Sequence, residues 1–155
     1  MVGEKTRLGS IWVNIGLAYE LKKDYPQAQA YYHQAEKMFK QYFNAFELAN
    51  VQKNLGCIYW AQGQWPAAID YFNLSLTYWQ AVGNGYHLAE TLIYLAKCEL
   101  ARGDVATAEE WLSQAESLTA QLPQASRRAI AELRETRHHL NQKTMAGREG
   151  TAAKI

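Results

Sequence analysis

The chain has 155 residues, enough for one ordinary domain with a real core, and its 48% hydrophobic and 20% charged residues exclude a disordered composition. A formal net charge of +1 removes any general electrostatic reason to expect nucleic acid, an anionic membrane or a strongly acidic partner. Cys57 and Cys98 show no disulfide or zinc spacing, charges interrupt the opening MVGEKTRLGSIW, and no segment reaches the roughly 18 apolar residues of a membrane span.

These features set the expectation of a cytoplasmic protein with no cofactor. Apolar residues recur at helical spacing from the start of the chain, in runs separated by short polar breaks. The pattern predicts helices over about 5–22, 25–42, 46–62, 65–81, 86–102 and 105–121. The break KKDYPQA gives Asp24 as a helix cap, with Pro26 in the first turn and Gln27 in capping-box position. AQGQWPA separates the third and fourth helices. Gly83-Asn84-Gly85 forms the loop before the fifth, and in ARGDVAT Gly103 ends one helix in a left-handed turn while Asp104 caps the next. A seventh helix is predicted over 123–142, where Ala129, Ile130, Leu133 and Leu140 make a narrow apolar stripe among charges; 143–155 shows no pattern and reads as disordered, and the basic balance of 122–155 reads as a solvated tail.

Laid over itself with a shift of 40, the chain matches three times. Leu8, Leu48 and Leu88 align, as do Ile15, Leu55 and Leu95; Gly16, Gly56 and Ala96; Ala28, Ala68 and Ala108; Tyr32, Phe72 and Leu112; and Ala35, Ser75 and Ala115. Each unit is therefore a helical hairpin, with a small residue in the first helix for close approach and a large one in the second to fill space between hairpins. The repeats run over about 8–44, 48–82 and 88–121, within one domain of 5–142.

These positions resemble the tetratricopeptide repeat, whose unit reads W-x-x-L-G-x-x-Y and then A-x-x-x-F and a small residue. The first unit supplies Trp12, Ile15, Gly16, Tyr19, Ala28, Tyr32 and Ala35. The second has Gln52 in place of the Trp, and the third is the weakest copy. The 40-residue period is similar to that of kinesin light chains, polarity adaptors and the sensor regions of bacterial signalling ATPases. The resemblance implies an all-α, right-handed superhelix of three hairpins closed by a C-terminal capping helix, with a concave groove lined by the first helices.

Projected on that arrangement, Asn14 and Leu17 line the groove from the first repeat. Asn50, Lys53, Asn54, Cys57 and Trp60 line it from the second, and Glu90, Tyr94 and Lys97 from the third. The resemblance gives Asn14 and Asn54 the role of pairing with the backbone of an extended peptide, because an amide both donates and accepts. Val13 and Leu17 stand where chaperone-binding members carry a carboxylate clamp, so that clamp is missing; Lys53 and Lys97 are the cations left to attract an acidic peptide. Trp60, Tyr94 and Leu17 are the apolar anchors.

No catalytic or metal-binding constellation is legible. His33 is alone, His87 begins a helix, His138-His139 diverge around theirs, and Glu109-Glu110 read as first-turn acids favoured by the helix dipole. The expected function is a protein-interaction module, adaptor or sensor, that takes a peptide or protein partner, with no enzyme activity, no nucleic acid and no membrane. The alternative is a structural or oligomerisation domain of a larger protein. The outer face of the first hairpin reads as uncovered, which leaves two expectations: further repeats upstream in a longer protein, or a homo-oligomer through that face.

Overall fold

In the computed structural model, which describes residues 2–122 and 127–152, all regular structure is helical. The helices are α1 (Val2–Leu21), α2 (Tyr25–Gln41), α3 (Ala45–Ala61), α4 (Trp65–Val82), α5 (Gly85–Arg102), α6 (Val105–Gln121) and α7 (Arg127–Ala152).

The breaks share one construction. Left-handed backbone falls at Lys23, Phe43, Gly63, Gly83 and Gly103, with φ of 60°, 55°, 73°, 67° and 90°. At four of them the next amide reaches back to a carbonyl of the last helical turn: Asp24 to Tyr19, Asn44 to Phe39, Gln64 to Tyr59 and Asp104 to Glu99. The residue that follows the left-handed one often caps the next helix. Asp24, Asn44, Asn84 and Asp104 accept from the amides of Gln27, Glu47, His87 and Thr107 at 3.3, 3.2, 3.2 and 3.1 Å. Each reversal thus satisfies carbonyls of one helix and amides of the next within a few residues.

The chain divides into two compact units, Met1–Val82 with α1 to α4 and Gly83–Ile155 with α5 to α7. Within each hairpin the helices pack along their length, and the small residue of the first helix sets the distance. A Cβ built on Gly16 would lie 2.7 Å from Cε1 of Tyr32, and one on Gly56 2.6 Å from Cε1 of Phe72. Both rings are fully buried. They lie across the glycine of their own hairpin, so they fill space inside it as well as toward the next; Tyr32 shares a cluster with Val51, Leu55 and Ile58 of α3. In the third hairpin Ala96 replaces glycine and Leu112 replaces the ring, and both are again fully buried.

In the second unit α7 packs on both α5 and α6, as α3 packs on α1 and α2 in the first. Leu133, Thr136 and Leu140 are its buried stripe, with Ala129 and Ile130 half-buried. Pro123, the expected start of this helix, lies outside the described residues. The expectation of disorder over 143–155 is corrected for 143–152, which continue the helix. One anchor is local: the Lys143 ammonium donates to the Leu100 carbonyl in the last turn of α5, where helix carbonyls lack intrahelical partners. Residues 153–155 are outside the described part.

Two stability outcomes follow from this geometry. Gly56→Ala forces the Phe72 ring aside and costs about 1–3 kcal/mol, while Gly56→Ala with Phe72→Leu, which copies the third hairpin, recovers part of the loss; urea titration of the three proteins checks the order. Phe43, 92% exposed, bears left-handed strain that glycine at 63, 83 and 103 avoids. Phe43→Gly should raise the melting temperature, with a net gain of under about 1 kcal/mol after the entropy of glycine is deducted.

Candidate binding face

In the first unit α1 and α3 are neighbours, and each is the first helix of its hairpin. Gly16 and Gly56 point at their partner helices, which fixes what the rest of each helix presents. On α1, Asn14 and Leu17 are open to solvent, Leu17 by 45%, while Val13 packs against the core. Glu20 is drawn inward, since its Oε2 accepts from the Tyr32 hydroxyl at 2.7 Å. On α3, Asn50, Lys53, Asn54 and Cys57 are half-buried at successive turns of one stripe, and Trp60 is 36% exposed at its end. The expected residues of the first two repeats therefore reach the surface on one stripe of each helix. The stripe offers amides, one ammonium, one thiol and two apolar side chains, a set suited to a polar main chain with intermittent apolar side chains.

The third repeat differs. Glu90 is half-buried, 3.8 Å from Nδ1 of His87. Tyr94 is only 9% exposed. Lys97 is 3.2 Å from Glu132 of α7, with its Nζ 5.0 Å from the centre of the Tyr94 ring. The expectation that Tyr94 and Lys97 line an open groove does not describe this unit, because α7 brings a carboxylate to the ammonium that an acidic peptide would use.

Several polar groups have more specific partners than their sequence context suggested. His33 is not merely solvated: Nδ1 lies 3.3 Å from Glu36 and Nε2 3.3 Å from the hydroxyl of Tyr59, to which Gln29 also donates at 2.7 Å. Tyr59 stacks on Tyr71 at 5.3 Å, and Tyr19 on Tyr31 at 5.6 Å, the same pair one repeat earlier. Glu109 is more than a first-turn acid. Arg137 of α7 donates through Nη1 to Glu109 at 2.5 and 2.6 Å, and through Nε and Nη2 to Glu116 at 2.8 Å each. These hydrogen bonds, from Glu116 first and Glu109 next, raise the guanidinium's pKa further. The 40-residue spacing of Tyr19 with Tyr59 and Tyr31 with Tyr71 was the available signal for the stacks; nothing in the sequence marked Arg137.

Among the described residues, no three His, Cys, Asp or Glu side chains gather as a metal site, and no helix is long and apolar enough to cross a membrane. Cys57 is half-buried and Cys98 buried, and neither is in a disulfide.

Three antiparallel hairpins of equal period, each closed by a small residue against a large one, define a helical-repeat protein. The family model of the tetratricopeptide repeat matches residues 7–78 and 47–121, and the chain belongs to that family. Repeats of this family are generally protein-interaction modules, and typically non-enzymatic scaffolds. No curated protein matches the sequence. Solved structures share the fold. BtubC (BKLC) from P. vanneervenii is 17% identical, with a TM-score of 0.76 over 90% of this chain and 59% of that one. A putative kinesin light chain of Podosopora anserina with nearly identical TPR-like repeats is 19% identical, with a TM-score of 0.73 over 92% of this chain and 70% of that one. The TPR domain of Arabidopsis FLU is 17% identical, with a TM-score of 0.69 over 73% of this chain and 95% of that one. The chain thus spans 59% of the length of BtubC.

Burial, and then the neighbouring Glu20, push the Tyr32 hydroxyl far above its ordinary value near 10. Burial, Glu36 and Tyr59 push Tyr71 up to about 12. A folded-state pKa raised above the unfolded one contributes stability that is whole below the unfolded value and is lost as pH climbs toward the folded value. Melting temperature should therefore show no tyrosine-linked loss below pH 10 and fall between 10 and about 12, and Tyr32→Phe should flatten that alkaline limb.

Proposed function

We propose that the chain binds a peptide or protein partner in extended form along the first helices, as an adaptor or sensor element, and that it does so by binding and not by catalysis. The observation that carries this reading is the side-by-side exposure of Asn14 and Leu17 on α1 with the Asn50, Lys53, Asn54, Cys57 and Trp60 stripe of α3. Asn14 and Asn54 occupy one repeat position, so two amides can pair with successive peptide units whatever the ligand's side chains. Leu17 and Trp60 would hold apolar side chains, and Lys53 favours an acidic residue between them. In the second unit Glu90, Tyr94 and Lys97 of α5 are the corresponding residues, and there Lys97 is held by Glu132 of α7. Two cysteines outside any disulfide support a reducing compartment such as the cytoplasm.

A second reading has a specific observation behind it. Ile11 is 48% exposed on the outer face of the first hairpin, whereas Val51, its counterpart one repeat on, is fully buried. That contrast supports association of copies through the first hairpin.

Panning an immobilised, randomised peptide library tests the groove. Peptides that bind wild type should lose roughly tenfold in affinity with Asn54→Ala and with Trp60→Ala, and those carrying acidic residues should also weaken with Lys53→Ala. An empty library, or binders indifferent to all three changes, rejects the groove.

A further inference from the structure

The outer face of the first hairpin has a counterpart inside the same chain that shows what such a face receives. On the second hairpin, the equivalent positions Val51, Leu55 and Ile58 are fully buried, and helix α2 of the preceding hairpin packs on α3. The polar part of that seam is specific: Gln29 donates to the Tyr59 hydroxyl at 2.7 Å, His33 stands 3.3 Å from it, and both lie beside the Tyr59–Tyr71 stack. One repeat earlier the outer face repeats part of the receiving half of this pattern, with Ala18 in the place of Ile58. Ile11 is exposed, Ile15 is half-buried, and Tyr19 stacks on Tyr31 with Lys22 Nζ 6.0 Å from the Tyr19 ring. A cleft of about 340 Å³ opens beside Trp12, lined by Gln34, Lys37, Met38 and Gln41.

The donating half recurs at the far end of the chain. Gln29, His33 and Glu36 of α2 become Glu109, Ser113 and Glu116 of α6, two repeats on. There α7 is the occupant: it packs on α5 and α6, and Arg137 takes both Glu109 and Glu116. Lys97 with Glu132, and Lys143 with the Leu100 carbonyl, complete its attachment.

We infer that the outer face of the first hairpin docks the α5–α6 face of a second copy of this chain, head to tail, and that α7 is the internal competitor that holds this association off. The inference rests on the second reading above and deepens it by naming the opposing surface. In the docked pair Tyr19 stands to Glu109 as Tyr59 stands to Gln29, so a carboxylate replaces the amide and accepts from the hydroxyl. The charges suit the exchange, because Glu109 and Glu116 lose Arg137 and gain the neighbourhood of Lys22. Such a contact is heterologous, so once α7 is displaced each copy keeps one face free and assembly continues beyond a dimer.

Sedimentation equilibrium of the full chain over a concentration series, with hydrogen exchange of α7 read in parallel, tests this. Arg137→Glu sets a third negative charge beside Glu109 and Glu116; Leu133→Asp with Leu140→Asp releases α7 by a different route. The expected result is faster exchange in α7, a mass that rises past dimer at a concentration roughly tenfold below any wild-type association, and return to monomer when Ile11→Glu is added. Ile11 is exposed, so that last change leaves the fold intact. Released α7 with a monomeric chain overturns the inference, as does assembly indifferent to Ile11→Glu, or an α7 that stays protected in both variants. If wild type dimerises through Ile11 while α7 remains protected, the second reading stands and the head-to-tail contact fails. No association in any protein removes both.

Discussion

The structure depends on the contact between one small residue and one large one inside each hairpin. Gly16 under Tyr32, Gly56 under Phe72 and Ala96 against Leu112 set how closely the two helices approach, and the approach determines which side chains are left facing outward. The pairs vary together: where the floor gains a methyl, the lid loses its ring. That is the behaviour of a volume constraint, and it explains why the third hairpin keeps the fold with neither glycine nor an aromatic residue at those positions. The proposed binding stripe of α1 and α3 is a consequence of the same contacts, since a helix pinned by its glycine has one azimuth to offer.

Much of this architecture was legible because it depends on local chemistry. The six repeat helices fall within three residues of the ends read from periodicity, and Asp24, Gly103 and Asp104 play the terminal roles their residue types suggest. The extension of α7 to Ala152 was not legible. Its last stretch has no apolar stripe, and part of its anchorage is a lysine reaching a carbonyl 43 positions earlier, an event with no mark in the local sequence. The proposed binding face was readable only in part for the same reason. Exposure of Asn14 and Leu17 depends on their own helix, whereas Lys97 is occupied by Glu132, which folding brings from another helix.

Polar pairings show where residue-by-residue reading stops. His33 taken singly is a surface histidine, and Glu109 a helix-start acid. Both become parts of a seam only when the preceding or following element is set against them, as with Tyr59 for the first and Arg137 for the second. The repeat period could have supplied this link, because positions 29, 33 and 36 and positions 109, 113 and 116 hold one place in the unit, with Gln29 and His33 bonded to the following helix in the first set and Glu109 and Glu116 in the second.

The left-handed residues at 23, 43, 63, 83 and 103 are spaced by twenty, half the hairpin period. Bends inside hairpins and bends between them are therefore the same joint, and the smallest module of this chain is one helix plus its joint. Among the described residues seven helices follow one another, and the first five are each closed by this joint. Addition or loss of a single module reverses the parity of the terminus and changes whether it ends on a first-type or a second-type helix, so a family built from such joints can alter its closing surface without inventing a new turn.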